Sequence, residues 1–129
     1  MNFDGFTDDP SDAAYLKSTT LHEFGHALGL LHEHFNPTGG IQWNKPVVFA
    51  YYRDMFNWTD AQTEYNLFNK YAENKTQYTV YDPKSIMSYY IPKEHTLNGY
   101  SVDDPSELSA TDKKFIASVY PLRCNMPTR

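Results

Sequence analysis

The stretch His22-Glu23-Phe24-Gly25-His26-Ala27-Leu28-Gly29-Leu30-Leu31-His32 holds the residue types of a mononuclear metal centre at spacings that can bring them together. On a helix, His22 and His26 differ by about 40° in direction and about 6 Å in height, so both imidazoles can face one ion. A continued helix would turn His32 about 240° around the axis from His26, away from that ion. Gly29 stands between them, and glycine adopts the left-handed conformation of a helix end without steric cost. A break at Gly29 therefore returns His32 to the pair. Three neutral imidazoles then fill three corners of a tetrahedron and leave the fourth to water, as in a catalytic rather than a structural zinc site. Glu23, adjacent to the first histidine, projects beside the pair and can exchange a proton with that water without being a ligand. His34 and His95 carry no such spacing and read as ordinary histidines.

The elements that must position these groups follow from the punctuation of the chain. Asp9 is placed to cap a helix with Pro10 at its first position, and the periodicity extends that helix over about residues 10–29. Asn36-Pro37-Thr38-Gly39-Gly40 reads as a loop. Asn44 and Pro46 start a second helix with Val48, Tyr51, Tyr52 and Met55 on one face. Thr59 and Gln62 form a capping-box pattern for a third, with Ala61, Tyr65, Phe68 and Ala72 as its apolar stripe. Thr76 to Tyr81 alternates like a short strand ending at Asp82-Pro83. Ser109 and Asp112 cap a last helix that Pro121 terminates.

Composition narrows the partners. With 129 residues the chain allows one domain, residues 1–129. Eleven basic against sixteen acidic residues give a net charge of -5, which argues against a nucleic-acid groove or an anionic membrane as the main partner. No apolar run is long enough to span a bilayer. The single Cys124 excludes an intrachain disulfide and a cysteine-rich zinc finger. Asn57 and Asn74 each head a glycosylation tripeptide, a pattern common by chance.

The histidine signature resembles that of the metzincin metallopeptidases, whose second hallmark is a tight methionine-containing turn below the metal. Ser85-Ile86-Met87-Ser88-Tyr89 resembles the Met-turn of the astacin family in particular. The run His32-Glu33-His34 is similar to astacins as well, and Leu108-Ser109-Ala110-Thr111-Asp112 resembles the start of the superfamily's closing helix. The resemblance implies an α+β zincin fold, here predominantly helical with little strand because the N-terminal sheet is largely absent. It implies one catalytic Zn2+ held by His22, His26 and His32, with Glu23 as general base and then acid in peptide-bond hydrolysis. It makes Met87 a hydrophobic floor beneath the imidazoles and gives Tyr89 the role of a metal-binding phenol that swings away to stabilise the transition state. Tyr90 is the competitor if the register slips by one. Glu33 matches a glutamate that anchors the mature N-terminus or supports the Met-turn, and Gly29 supplies the break.

The implied partner is a protein or peptide substrate, and the implied location is extracellular, although the N-terminus carries no signal-peptide pattern. Family catalytic domains place a sheet before the active-site helix, its edge aligning the substrate. At best Met1-Asn2-Phe3 is the last strand of that sheet, so the chain reads as a piece of a longer astacin-like peptidase with a missing N-terminal segment. Phe24, Ala27, Leu28 and Leu31 form the apolar face that such a sheet would cover. The competing functional reading is a catalytically impaired zinc-holding remnant, or an interaction module.

Overall fold

The computed structural model describes residues 7, 9–72 and 77–121. The expected strand Met1-Asn2-Phe3, the Asn74 tripeptide and Cys124 lie outside them. Four helices carry the architecture: α1 Ala13–Ala27, α2 Lys45–Phe56, α3 Asp60–Thr63 and α4 Ala110–Val119. α3 runs directly into a wider five-residue helical turn, Glu64–Phe68. Among the described residues there is no strand, only two isolated antiparallel bridges, Trp43 with Thr96 and Ile91 with Val102. No described helix is long and apolar enough to cross a membrane.

The ends of the helices obey local chemistry. Asp9 caps a short 3-10 turn, Pro10–Asp12, by accepting from the Ser11 amide at 2.9 Å, and that turn leads into α1. Reciprocal capping boxes open α3 (Thr59, Gln62) and α4 (Ser109, Asp112). α1 stops two residues earlier than its periodicity suggests, in a Schellman turn. Gly29, at φ +86°, donates to the His26 carbonyl at 3.0 Å, and Leu30 donates to Gly25 at 2.9 Å.

Three sequence expectations differ from the structure. The alternating segment up to Tyr81 is irregular over its described residues, 77–81. Its backbone is satisfied by side chains of the 36–38 loop: Asn36 donates to the Thr79 carbonyl at 3.1 Å, and the Tyr81 amide donates to Thr38 Oγ1 at 2.8 Å. The stripe expected on the third helix is also displaced. Thr63 and Leu67 are buried while Ala61 and Tyr65 are exposed, so tertiary packing turns inward a face offset by two residues from the apolar stripe. On α2 only Val48 is buried; Tyr51, Tyr52 and Phe56 instead cluster with Trp58 and His95 near the surface.

The buried core is small and surrounds the functional segment: Val48, Leu67, Ile86, Met87, Ile91 and Val102. The apolar face of α1 is uncovered by the described residues, with Phe24 58% exposed, and Leu31 beyond the turn that ends the helix is 45% exposed. α4 closes against the end of α1, where Tyr120 Oη donates to the Leu28 carbonyl at 3.0 Å.

Candidate metal centre

The Schellman turn that ends α1 also builds the site. By turning the chain at Gly29 it aims the Leu30 carbonyl back at His26, whose Nδ1 donates to it at 2.9 Å. His22 Nδ1 donates to the Ile86 carbonyl at 2.8 Å. A carbonyl only accepts, so in both rings Nδ1 carries the hydrogen and Nε2 is left with a bare lone pair. Such carbonyl partners are the usual means of fixing a ligating histidine. His32, returned by the turn, brings its Nε2 to 3.1 Å from His26 Nε2.

One ligating nitrogen from each of His22, His26 and His32 lies within 4.8 Å of the others. Two nitrogens each about 2.0–2.1 Å from a tetrahedral ion stand about 3.3 Å apart, so the His26–His32 spacing suits a shared cation. Burial favours the neutral, ligating form. It lowers the His22 imidazole, partly countered by its bond to Ile86, and it draws His32 down to about 3, with the neighbouring His34, His26 and His22 adding to the effect. These three residues can therefore hold a metal ion.

Around them, Glu23 is buried on α1 beside His22, and its charge raises both the His22 and the Tyr89 protonation equilibria. The Tyr89 ring lies 4.3 Å from that of His32 and 6.3 Å from that of His22. Burial first, then Tyr52, Glu23 and Tyr71, push its phenol up to about 12, so it remains a hydroxyl at neutral pH. Tyr90, the alternative register, is more exposed.

Met87 is buried directly against α1 at Gly25. It sits in a double turn in which Ser85 donates to the Asp82 carbonyl and Ser88 to the Ser85 carbonyl, both at 3.0 Å. Glu33 braces this turn twice. Its amide donates to the Met87 carbonyl at 3.0 Å, and its Oε1 accepts from the Asp82 amide at 2.8 Å and from Asn36 Nδ2 at 2.9 Å. Burial dominates over those two bonds and pushes the Glu33 carboxyl up to about 7.

Three participants are not signalled by the histidine spacing. Gly25 leaves the space that Met87 fills. Asp112, besides capping α4, accepts from the Ile86 amide at 2.9 Å and from Ser85 Oγ at 2.7 Å. His34 is buried with its ring 4.7 Å from that of Tyr89, its Nε2 donating to the Asn66 carbonyl at 3.0 Å. Burial holds that imidazole down at about 4, and its Nδ1 has no partner among the described residues. The Asp112 capping pattern is visible in the sequence, but its second attachment is not.

A helix carrying two imidazoles, a glycine turn returning a third, and a methionine-bearing turn packed on that helix bring together a group that could hold a metal ion, with one carboxylate beside it. Among solved structures, the chain is similar to myroilysin. One structure of that protein matches with 48% identity and a TM-score of 0.85 over 91% of this chain and 57% of that one. A second, a crystal structure, matches with 47% identity and a TM-score of 0.56 over 91% of this chain and 52% of that one. This chain thus spans little more than half the length of either. No protein-family model matches it, nor does any curated protein.

Proposed function

We propose that this chain is the metal-bearing part of a zinc-dependent endopeptidase of astacin-like, metzincin type, acting on protein or peptide substrates outside the cell. On this reading residues 1–129 are one domain: active-site helix, Met-turn and closing helix of an α+β zincin fold. The observation that carries the proposal is the convergence of His22, His26 and His32 with the buried Glu23 alongside. Likeness to myroilysin across 91% of the chain supports it. Imidazole donors and tetrahedral spacing suit zinc among the common cations.

When bound, the ion supplies Lewis acidity, polarising a peptide carbonyl and making water nucleophilic near neutral pH. The chain's own groups do the rest. Glu23 accepts a proton from the attacking water on its carboxylate and delivers it to the departing amide nitrogen. Tyr89, protonated well above neutral pH, donates its phenolic hydrogen to the oxyanion of the tetrahedral adduct. Glu33, through the Met-turn, holds Met87 against the helix that carries the histidines.

The test is Glu23→Gln. It should retain stoichiometric zinc and lose cleavage of unfolded casein; retained turnover would remove Glu23 from the mechanism. The competing reading is a metal-holding module that does not cleave. Chelator-sensitive casein cleavage by the native chain, restored by zinc, separates the two.

A further inference from the structure

Beside His22 a cavity of about 550 Å3 opens between α1 and the segments 88–90 and 104–106. One face of α1 forms a wall: Ala14, Tyr15, Ser18 and Thr19 lead along the helix to His22 itself. The opposite wall includes Tyr89 and Tyr90, and Ile86 and Pro105 add apolar surface. Because His22 and Tyr89 both line it, whatever fills this cavity lies against the metal centre.

Among the described residues, one carboxylate lines the cavity, that of Asp104. It is exposed and makes no hydrogen bond or ion pair among the described residues. The basic residue on the neighbouring turn of α1, Lys17, is already paired with Glu107. A space with aromatic and aliphatic walls and one unneutralised carboxylate matches a side chain with an apolar stem and a cationic head. Tyrosine faces add to the attraction for such a head.

We infer that this cavity is a substrate side-chain pocket selecting lysine or arginine next to the scissile bond, with Asp104 as the specificity-determining residue. The assignment rests on the peptidase reading for its place beside the cut, while the chemistry of recognition rests on the cavity alone.

Two readouts test it. In the first, blocked short peptides identical except for lysine, norleucine or glutamate at one position are titrated against the native chain by intrinsic fluorescence. The lysine peptide should bind roughly three- to tenfold more tightly than the norleucine one, and the advantage should shrink with salt. Asp104→Asn should level the two, and Asp104→Lys should turn the preference toward glutamate. Equal binding of all three peptides by the native chain, or a lysine preference unchanged in Asp104→Asn, would overturn the pocket assignment.

In the second readout, the zinc-loaded chain digests unfolded casein and the cut sites are read by mass spectrometry. Lysine and arginine should be enriched at one fixed position beside the cut, and that enrichment should fall in Asp104→Asn. Cleavage without the enrichment overturns the selection of substrates. No cleavage at all, with the lysine preference intact in binding, overturns the peptidase reading and the pocket's place beside a scissile bond, leaving a cation-binding cavity.

Discussion

Met87 sulfur occupies the place where Gly25 lacks a side chain, so a methyl group at position 25 would collide with Met87 Sδ. The glycine lies between Glu23 and His26, so the floor of the site touches the helix backbone that carries two of the imidazoles. Gly25→Ala brings two opposed effects. Alanine is the better helix former by about 1 kcal/mol, whereas overpacking a buried contact costs about 1–3 kcal/mol. Met87 is 2% exposed and has little room to retreat, so the overpacking should prevail. The variant should melt at lower temperature and bind metal less tightly. In a Met87→Ala background the same substitution should cost less, and a double-mutant cycle of thermal unfolding measures that coupling.

Metal addition should stabilise the fold by mass action. An ion that binds the folded chain alone at a hundred times its dissociation constant contributes about 2.7 kcal/mol. One equivalent of zinc should therefore raise the melting temperature, with a stoichiometry of one by calorimetric titration. His32→Ala removes one of the three donors and should abolish most of that rise. An unchanged rise would show that the ion binds elsewhere.

Structure set by neighbours along the chain is legible in the sequence. Asp9, Thr59 with Gln62, and Ser109 with Asp112 cap helices as their residue types require, and Gly29 turns the chain because only a positive φ satisfies that corner. Structure set by a distant partner is not legible in the sequence. The alternation before Asp82 has the same period whether the backbone pairs with a strand or with Asn36 and Thr38, and only the folded chain decides. On the third helix the buried face passes through Thr63 and Leu67 rather than Ala61 and Tyr65, a choice made by the elements packed against it and not by the apolar period. The three histidines were visible for the same local reason as the caps. The bonds from Asp112 to the Met-turn join elements far apart in sequence and leave no periodic trace.

His95 gives a pH signature separable from the metal centre. It is buried beside Tyr51, and burial lowers its imidazole from the usual value near 6.5, with Glu94 opposing. Below that value the unfolded chain binds the proton and the folded chain resists it, so acid favours unfolding. The stability from a neutral His95 is present above about pH 6.5 and lost as the pH falls through its lower folded value. Burial gives His34 the same sign, and the raised Glu33 carboxyl the opposite one, so only a difference between proteins isolates His95. Between pH 8 and pH 5, measured by urea unfolding without metal, the native chain should lose more stability than His95→Gln. Parallel curves would exclude the contribution.

Asp112 links the closing helix to the histidine cluster through a single residue, Ile86. Its carboxylate holds the Ile86 amide at 2.9 Å, while the Ile86 carbonyl accepts from His22 at 2.8 Å. Both oxygens are used, since Oδ2 also accepts from the Ser109 amide at 2.9 Å and Oδ1 from Ser85 Oγ at 2.7 Å. Asp112→Ala removes the acceptor of the buried Ile86 amide, which costs about 1–3 kcal/mol. The first expected result is a lower melting temperature. The second is specific to this geometry: Ile86 loosens, His22 loses its orienting partner, and metal affinity falls, within the range of about 10–100-fold typical for residues that orient a ligand. Ser109→Ala serves as the control. It removes the helix cap at a cost of about 1 kcal/mol and leaves the Asp112–Ile86 bond in place, so its metal affinity should stay near that of the native chain. Equal losses of affinity in the two variants would mean that general destabilisation, rather than the Asp112–Ile86–His22 connection, governs the site.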